Sequence, residues 1–429
     1  MDDDGNDGND GATTAAAAAA AAHSRDDAMI CYDLIVIGGG VVGLACLRAA
    51  TLKGWKCALV EAETDLLTQA SGGNSGIVCT GVDASVGTLE RALIRDSVSE
   101  FRSYCESHNV PMRPCGSLVC LFPWDLDCDV VVEEVPSDND NDGDDDGDGD
   151  DDDDDGTDET NHDDDKEGTE TETGRERETK SGHVSLLESV LEESHIAGDS
   201  DAVLFPTGEK VRREKEPNVS PSVMGAVHIP GEVVVDSWVY SISLAVHALE
   251  NGADIYTNFR VGSINREGGE GDSNGVETNR FWKLGRESET TPAENICNDS
   301  DGRSKSNDVP ATLFGRAIVN ATGNWSDLTE RNAHGNCGWV AKPRRGQYRV
   351  YDSTPATKIV HPLQPIPSQR TKGIFVFGTL YDQLVVGPTA LDQSSRTDRS
   401  VDPDVARELD EHVRRVLPGI DLETSHVGD

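Results

Sequence analysis

A short apolar run followed by regularly spaced glycines is the clearest pattern in this chain. Residues 34–37 are aliphatic and mostly β-branched, and the run stops at Gly38-x-Gly40-x-x-Gly43, after which the sequence has helical character. This order predicts a strand, a tight turn and a helix whose N-terminus can face a phosphate group. A second predicted strand, residues 56–61, ends in a glutamate at about the 20-residue spacing that suits a bond to ribose hydroxyls. The strands, the helix and the acid together predict a dinucleotide site, although the glycines alone would be weak evidence.

Apolar periodicity along the rest of the chain predicts a mixture of helices and strands. Four helices are predicted. Three of them span residues 88–108, 236–250 with Asp236 as N-cap, and 403–416, and the other begins near residue 183. The predicted strands lie at residues 116–122, 223–229, 346–351, 373–378 and 383–386. One more strand begins at residue 254, and another contains residue 261. A buried strand from residue 317 ends in Thr322-Gly323, and it is the expected partner strand of the first unit. The polar stretch 267–309, interrupted by residues 281–284, predicts a hairpin with a long loose loop.

One segment carries much of the formal net charge of -43. Residues 138–178 are rich in acids and contain almost no apolar residue, so we expect them to be disordered, like the acidic and alanine-rich tail at residues 1–27. Residues 138–143 begin like a calcium-binding loop, but the twelfth position is Gly149 rather than a glutamate. A solvated surface insertion is therefore the favoured interpretation. The remaining sequence is still acidic, which argues against nucleic acid as a partner.

The cysteine pattern favours an intracellular protein. The chain has 10 cysteines without a Cys-x-x-Cys pair and without a signal peptide, which fits reduced thiols, with Cys46 and Cys57 in the core. No apolar run is long enough to span a bilayer. The N-terminus lacks the Arg-rich, acid-poor character of a mitochondrial presequence, but cytoplasmic and mitochondrial locations both stay open. The pattern predicts no metal site.

A segment of small and polar residues follows the predicted nucleotide unit. Residues 69–78 read Gln-Ala-Ser-Gly-Gly-Asn-Ser-Gly-Ile-Val, which offers many backbone donors and few bulky side chains. Such a segment can wrap closely around a phosphate or a flavin ring. A flexible surface loop is the alternative, and the position directly after Glu61 favours the first interpretation.

Several further blocks resemble one family. They are residues 74–78 with Gly81, 87–89, 114–118, 216–221, 343–348 and 384–390. In this order, and with the nucleotide motifs, they resemble the FAD-dependent oxidoreductase family that includes D-amino-acid oxidase. Within that family the chain is similar to the branch of L-2-hydroxyglutarate dehydrogenase and the anaerobic-type glycerol-3-phosphate dehydrogenase. The resemblance runs from Tyr32 to the end, interrupted by the low-complexity segments and the loop near residue 290.

The resemblance implies an α/β (α+β) fold of two interleaved domains, a Rossmann-like FAD-binding domain and a substrate domain built on a mixed or antiparallel sheet. The FAD-binding domain is expected at residues 30–83 and 236–335, and the substrate domain at 84–136, 183–235 and 336–429. The disordered tail is placed at 1–29 and the disordered insertion at 137–182.

The resemblance also implies FAD in an extended pose. Gly38, Gly40 and Gly43 are expected to cradle the pyrophosphate, and Glu61 to hold the adenosine ribose. The other residues implied in cofactor binding are Ser71, Asn74, Ser75 and Gly76 along the flavin, Val261 at the adenine, and Thr322 and Gly323 over the cofactor.

A small anionic substrate is expected to give a hydride to the flavin, whose electrons then pass to a quinone or a carrier protein. The flavin carries the redox chemistry, and the protein supplies orientation and electrostatics. Arg344 and Arg345 are the candidates for binding the anion, helped by Tyr348, because the planar guanidinium binds two oxygens at once. Surface ion pairs are the alternative for both arginines.

Two departures from the family pattern bear on activity. Relatives commonly carry a histidine where this chain has Cys79, so any proton transfer by that histidine must be done differently here. His361 is a conceivable substitute, although a surface histidine is the favoured interpretation. The chain also ends at Asp429, before an arginine and the final strand and helix of its relatives, which predicts a C-terminally incomplete substrate domain.

The sequence therefore predicts an FAD-dependent dehydrogenase that oxidises L-2-hydroxyglutarate, a similar 2-hydroxy acid or glycerol 3-phosphate. An amine or amino-acid oxidase of the same fold is one alternative, because the nucleotide motifs do not separate C–O from C–N oxidation. A catalytically dead binding protein with an acidic recruiting segment is the other.

Overall fold

The computed structural model describes residues 31–82, 84–126, 172–268, 281–287, 294–296, 310–354, 357–366 and 373–428. For residues 172–182, 294–296 and 424–427 only the backbone is described. The predicted N-terminal tail, the core of the predicted acidic insertion and most of the predicted loop at 267–309 lie outside these residues.

Twenty strands and eight α-helices occur within the described residues. The strands are β1 (Cys31–Ile37), β2 (Cys57–Val60), β3 (Ile77–Val78), β4 (Met112–Arg113), β5 (Ser117–Leu121), β6 (Val203–Phe205), β7 (Gly225–Ile229), β8 (Val233–Val235), β9 (Asp254–Thr257), β10 (Val261–Glu267), β11 (Phe281–Arg286), β12 (Glu294–Ile296), β13 (Thr312–Asn320), β14 (Arg344–Arg345), β15 (Arg349–Asp352), β16 (Leu363–Pro365), β17 (Phe375–Gly378), β18 (Gln383–Gly387), β19 (Leu391–Asp392) and β20 (His426–Gly428). The helices are α1 (Val41–Leu52), α2 (Leu89–Ser107), α3 (Glu172–Ile196), α4 (Gly208–Glu214), α5 (Ser237–Glu250), α6 (Ser326–His334), α7 (Pro403–Val416) and α8 (Leu422–Ser425).

A seven-stranded sheet in the order β10-β11-β13-β1-β2-β9-β12 forms the first half of the architecture. Its centre is parallel, because β1 pairs with both β13 and β2, and β2 pairs with β9. The outer pairs are antiparallel. Helices α1 and α5 cover one face of this sheet and enclose an apolar core that includes Leu44, Leu47 and Leu244. Cys57 is fully buried in that core, as predicted, whereas Cys46 is only partly buried at its edge.

An eight-stranded sheet in the order β20-β15-β18-β17-β16-β5-β7-β6 forms the second half. The β5–β16 pair is parallel and the other pairs are antiparallel. Helix α7 packs against one face of it through Leu409, Val413 and Val416, which are almost completely buried. A three-stranded sheet, β3-β8-β4, and the β14-β19 pair complete the topology. The mixed α/β fold class is confirmed, while the proposed domain boundaries stay a prediction.

Polar caps explain where several helices begin. The Asp236 carboxylate accepts hydrogen bonds from the backbone N–H groups of Trp238 and Val239, at 2.8 and 2.9 Å, so the predicted cap of α5 is confirmed. Asp402 caps α7 in the same way through Asp404, at 2.8 Å, with Pro403 in the first turn.

A partly buried histidine on α7, His412, makes the stability of this half of the fold pH-dependent. Burial lowers the pKa of His412 to about 4, and the positive charge of Arg415 adds to the effect. The folded pKa lies below the unfolded value of about 6.5, so the unfolded chain takes up the proton first as the pH falls. Stability present at pH 7 is therefore lost between about pH 6.5 and 4, by about 3 kcal/mol. We expect His412→Gln to flatten the dependence of Tm on pH in this range, whereas the matched substitution of the exposed His334 should leave the slope unchanged.

Candidate functional site

The turn after β1 accepts only glycine at two positions. Gly38 has a φ of +112°, and a Cβ there would overlap the carbonyl oxygen of Ala321. A Cβ at Gly43 would overlap the Gly38 carbonyl oxygen, so the first turn of α1 lies directly on the end of β1. These two glycines bring the helix and the strand as close together as the predicted dinucleotide motif requires.

The N-terminus of α1 is not capped by a side chain of its own cap residue. Gly40 is the N-cap with extended backbone angles, and the helix has 12 residues. The Val41 N–H donates to the Ser71 hydroxyl at 2.9 Å, and a Cβ on Gly40 would lie 3.0 Å from the same oxygen. A helix N-terminus carries a partial positive charge, which suits a pyrophosphate.

Glu61 follows β2, and its carboxylate lies beside the glycine turn. Its Oε2 accepts from the Gly39 N–H at 2.6 Å and its Oε1 accepts from the Glu63 N–H at 2.9 Å. Each carboxylate oxygen has a second lone pair, which can accept from a ribose hydroxyl. Val261 lies close by in the chain, two residues after Phe259, whose N–H donates to the Glu61 carbonyl at 2.8 Å.

Internal hydrogen bonds hold the flavin-side loop, residues 71–76, in a defined conformation. Asn74 donates to the Ser71 carbonyl at 2.6 Å and accepts from the Gly76 N–H at 2.8 Å, and the Ser75 hydroxyl accepts from the Ile77 N–H at 3.3 Å. Gly76 has a φ of +68°, and a Cβ there would overlap the Val235 carbonyl oxygen. The structure thus gives Asn74 and Ser75 the role of shaping the loop, in addition to any cofactor contact.

The end of β13 closes the other side of the turn. The register of β1 and β13 sets Ile37 beside Asn320, which brings the following Thr322 and Gly323 next to Gly38. The Thr322 hydroxyl donates to the Asn320 side chain at 2.8 Å, and a Cβ on Gly323 would meet open space. The predicted cofactor residues at the ends of these two neighbouring strands therefore lie on one edge of the seven-stranded sheet.

These features fit FAD. The glycine turn brings the backbone of β1 and α1 close together, Gly40 places no side chain of its own at the start of α1, and Glu61 presents its carboxylate beside the turn. The roles of the individual residues stay predictions.

The three predicted substrate-binding residues lie in different surroundings. Arg344 is exposed and forms two hydrogen bonds to the Asp392 carboxylate, at 2.6 and 3.1 Å. Arg345 has a largely buried side chain, which donates to Asp398 at 2.8 Å and to the Ser400 hydroxyl at 3.0 Å. Its buried Nε–H has no acceptor among the described residues.

Tyr348 packs in an apolar cluster between the flavin-side loop and the eight-stranded sheet. Its neighbours in this cluster are Phe375, Phe377, Val385, Val350 and Ile77, the last of which directly follows the loop at 71–76. Burial raises the pKa of the Tyr348 hydroxyl to about 12, so the group is a neutral donor at physiological pH.

The favoured interpretation of His361 as a surface histidine is wrong. Its side chain is buried, and its Nδ1 lies 2.7 Å from Oε1 of the fully buried Glu216. The same oxygen accepts from the backbone N–H groups of Val360 and His361, at 2.9 and 2.6 Å. The block at residues 216–221 was recognised in the sequence. No local pattern, however, indicated that Glu216 bonds to His361, which lies 145 positions further along the chain.

A buried polar network beside the flavin-side loop was also missed. Asp199 is 4 % exposed, accepts from the Thr80 hydroxyl at 2.7 Å and pairs with Arg95 at 2.9 Å. Arg95 also donates to the Thr80 carbonyl at 3.1 Å. Arg91 and Arg102, on the same helix as Arg95, bond to backbone carbonyls of Ala84, Glu193 and Gly231. These arginines fix α2 against the segment that contains Cys79.

Two absences concern the described part of the chain. Among these residues, no three His, Cys, Asp or Glu side chains are grouped so that they could hold a metal ion. No helix within the same ranges combines the length and the apolar character needed to cross a membrane.

Known proteins similar to this chain agree on one family. The family described as FAD dependent oxidoreductase matches residues 33–136 and 180–428. Glycerol 3-phosphate dehydrogenase of Caloramator mitchellensis is 24% identical over 366 residues, which are 85% of this chain but only 57% of that protein. Mitochondrial L-2-hydroxyglutarate dehydrogenase of Nematostella vectensis is 36% identical over 90 residues, 20% of each protein. This chain therefore spans less than two thirds of the length of these relatives.

A solved structure with bound cofactor shows the same fold. Dithionite-reduced L-α-glycerophosphate oxidase of Mycoplasma pneumoniae with FAD bound has a TM-score of 0.64 and 20% identity, and the match covers 93% of this chain and 82% of that chain. The cofactor predicted from the sequence, FAD, is confirmed by the family and by this neighbour. Since the family match extends over most of the residues, this chain belongs to the FAD-dependent oxidoreductases.

Proposed function

We propose that this protein is an FAD-dependent dehydrogenase of a small anionic hydroxy compound, either a 2-hydroxy acid such as L-2-hydroxyglutarate or glycerol 3-phosphate. The observation that carries the proposal is the similarity to a glycerol 3-phosphate dehydrogenase over 85% of the chain, joined to a site that fits FAD. The local similarity to L-2-hydroxyglutarate dehydrogenases keeps the 2-hydroxy acid as the other substrate class. Electrons are proposed to leave to a quinone or a carrier protein.

Each part of the site has a separate task in this reaction. When bound, FAD supplies the hydride acceptor. The glycine turn and the start of α1 hold the pyrophosphate, and Glu61 fixes the ribose, so the cofactor is anchored far from the reacting end. The apolar cluster around Tyr348 and Ile77 excludes water from the region between the flavin-side loop and the eight-stranded sheet.

Arg345 is the better of the two candidates for binding the substrate anion. Its guanidinium is largely buried and keeps one Nε–H without an acceptor among the described residues, whereas Arg344 is exposed and fully engaged by Asp392. The loop that contacts Arg345 also contacts the chain just before the flavin-side loop, because Arg399 donates to the Thr68 carbonyl. A guanidinium forms charge-assisted hydrogen bonds with a carboxylate or phosphate, and the Nε–H of Arg345 is still available for one besides the pair with Asp398.

We expect Arg345→Gln to raise KM about 100-fold with a much smaller change in kcat, because it removes a contact made in both the ground state and the transition state. The matched control is Arg344→Gln, which removes an exposed arginine from the neighbouring position and should change KM less than threefold. Steady-state kinetics on the folded variants measures both. Equal effects of the two substitutions would show that Arg345 does not bind the anion.

The function itself is tested by visible spectroscopy of the purified chain with bound FAD. Anaerobic addition of L-2-hydroxyglutarate or glycerol 3-phosphate should bleach the flavin bands, and the active compound names the substrate. A flavin spectrum that changes with an amino acid, but with neither hydroxy compound, would contradict the proposal and favour C–N oxidation.

A further inference from the structure

Two segments that are distant in the sequence border the proposed pyrophosphate turn. A Cβ on Gly38 would overlap the Ala321 carbonyl oxygen, and a Cβ on Gly40 would lie 3.0 Å from the Ser71 hydroxyl. Ala321 directly follows β13, and Ser71 is the first residue of the flavin-side loop. The chain after β13 therefore borders the turn at its first glycine, and the start of the flavin-side loop borders it at the second.

A loop between β19 and α7 holds the first of these segments. Arg396 in this loop, residues 393–400, donates to both carboxylate oxygens of Asp327, at 2.6 and 2.8 Å, and to the Asn324 carbonyl. Asp327 is 1 % exposed, and the hydrogen bonds from Arg396 lower the pKa of its carboxyl to about 2, so the pair is ionised at physiological pH. Two charge-assisted hydrogen bonds in this geometry form a strong contact between the loop and the chain after β13.

The same loop holds the second segment. The Arg399 side chain donates to the backbone carbonyl of Thr68, three residues before Ser71. We call residues 393–400 the bridging loop, because two of its arginines contact the chain on both borders of the turn. Arg396 and Arg399 are only three positions apart, so one short stretch of chain joins the two bordering segments.

The spacing between the two arginines is fixed within the bridging loop. The Gln393 side chain donates to the carbonyls of Ser395 and Asp398, at 2.8 and 3.0 Å, and the Asp398 N–H donates to the Ser395 hydroxyl at 3.0 Å. The Asp398 carboxylate in turn accepts from the N–H and hydroxyl groups of Ser400, at 3.0 and 2.7 Å. Because the loop is stiffened in this way, the two bordering segments move apart only when an arginine contact breaks.

We propose that the bridging loop slows the release of FAD by holding together the two segments that border the pyrophosphate turn. The inference deepens the proposed function and rests on the cofactor position assigned there. Release then requires a local opening of the turn, and each arginine contact that has to break adds to the free energy of that opening. Arg396 and Arg399 are positioning residues, since they act on the chain around the cofactor and not on FAD itself.

The rate of FAD release from the loaded protein tests the proposal. Arg396→Gln removes the ion pair with Asp327 and should speed release at least about tenfold. Arg396→Lys keeps the charge but lacks the planar fork that binds both oxygens, so its rate should lie between those of the wild type and Arg396→Gln. The rise of flavin fluorescence after dilution into buffer without FAD measures each rate.

The matched control is another largely buried arginine–aspartate pair. Arg349 on β15 donates to both carboxylate oxygens of Asp410 on α7, at 3.1 and 3.3 Å, and the Arg349 side chain is 14% exposed. This pair lies on the α7 face of the large sheet, away from Tyr348 and the flavin-side loop. Arg349→Gln should therefore lower the unfolding midpoint in urea about as much as Arg396→Gln, but leave the release of FAD unchanged.

A double variant tests whether the two arginines act as the two ends of one bridge. Arg399 is exposed and bonds to a backbone carbonyl, so Arg399→Gln does not put folding at risk. Since a bridge fails when either end is released, Arg396→Gln with Arg399→Gln should release FAD no more than about twofold faster than the faster single variant. Two independent contacts would instead give effects that multiply.

Three results would each overturn the proposal: release at the wild-type rate in Arg396→Gln, equal acceleration in Arg349→Gln, or multiplied effects in the double variant. Failure of the proposed function is distinguishable from these results, because the measurement needs FAD but no substrate. A wild-type chain that holds FAD yet is reduced by neither hydroxy compound would contradict the proposed function, and the release rates would still decide on the bridging loop.

Discussion

Replacing Gly40 with valine is expected to give a folded chain that no longer retains FAD. The backbone angles of Gly40, φ −77° and ψ 172°, are open to any residue, so the substitution adds no backbone strain. The new Cβ lies 3.0 Å from the Ser71 hydroxyl, and the two methyl groups add bulk at the N-cap of α1, where the pyrophosphate is proposed to lie. We expect FAD affinity to fall at least 100-fold, since several charge-assisted hydrogen bonds are lost together. The ratio of flavin to protein absorbance after desalting measures the loss.

Gly73→Ala is the control for this experiment. Gly73 lies in the flavin-side loop together with Ser71, but the nearest atom to an added Cβ is the Gln69 carbonyl oxygen at 3.9 Å, an ordinary contact. This variant should retain FAD like the wild type. A Gly40→Val protein with a normal Tm and a full complement of FAD would show that the pyrophosphate does not lie at the start of α1.

Removing the carboxylate of Asp199 is expected to produce the largest loss of stability. Asp199 is nearly buried, and its two oxygens bind Arg95 and the Thr80 hydroxyl. In Asp199→Ala the guanidinium of Arg95, which is 28% exposed, loses its counter-charge and Thr80 loses its acceptor. Breaking such a pair costs about 3 kcal/mol, at the lower end of the range for buried ion pairs because Arg95 keeps some contact with water. Urea unfolding of the FAD-loaded protein measures the change.

An exposed ion pair provides the control for Asp199. Arg213 and Glu214 pair at 2.7 Å on the surface, and Glu214→Ala should leave the unfolding midpoint unchanged. If Asp199→Ala were equally harmless, the network around Thr80 would not contribute to stability, and the segment carrying Cys79 would have to be held by its strand pairing alone.

The sequence was sufficient for the parts of the fold that depend on neighbouring residues. The strand, turn and helix at Gly38 to Gly43 were predictable because glycine spacing and backbone conformation are local properties. The N-cap of α5 was predictable for the same reason, since Asp236 bonds to groups two and three residues away. Local chemistry therefore predicted the turn at which the pyrophosphate of FAD is proposed to lie.

The partners of buried polar groups could not be predicted. Glu232 bonds to Gln364, Thr80 to Asp199 and Glu216 to His361, and each pair is separated by more than 100 positions in the chain. Periodicity shows which face of a strand is buried, but the register between distant strands decides which side chains meet. The roles of Arg345, Tyr348 and the FAD-binding residues remain predictions, because they concern contacts with molecules other than the chain itself.

The pairing of β1 with β13 has a consequence for biosynthesis. The N-terminal strand, turn and helix leave the ribosome early, but Gly38 finds its neighbour Ala321 only after β13 has been made. Until then, one side of β1 has no partner strand, and the glycine turn lacks its contacts with Ala321 and Thr322. We therefore expect a nascent chain to bind FAD only after β13 has been synthesised, since the turn proposed to hold the pyrophosphate is incomplete before then.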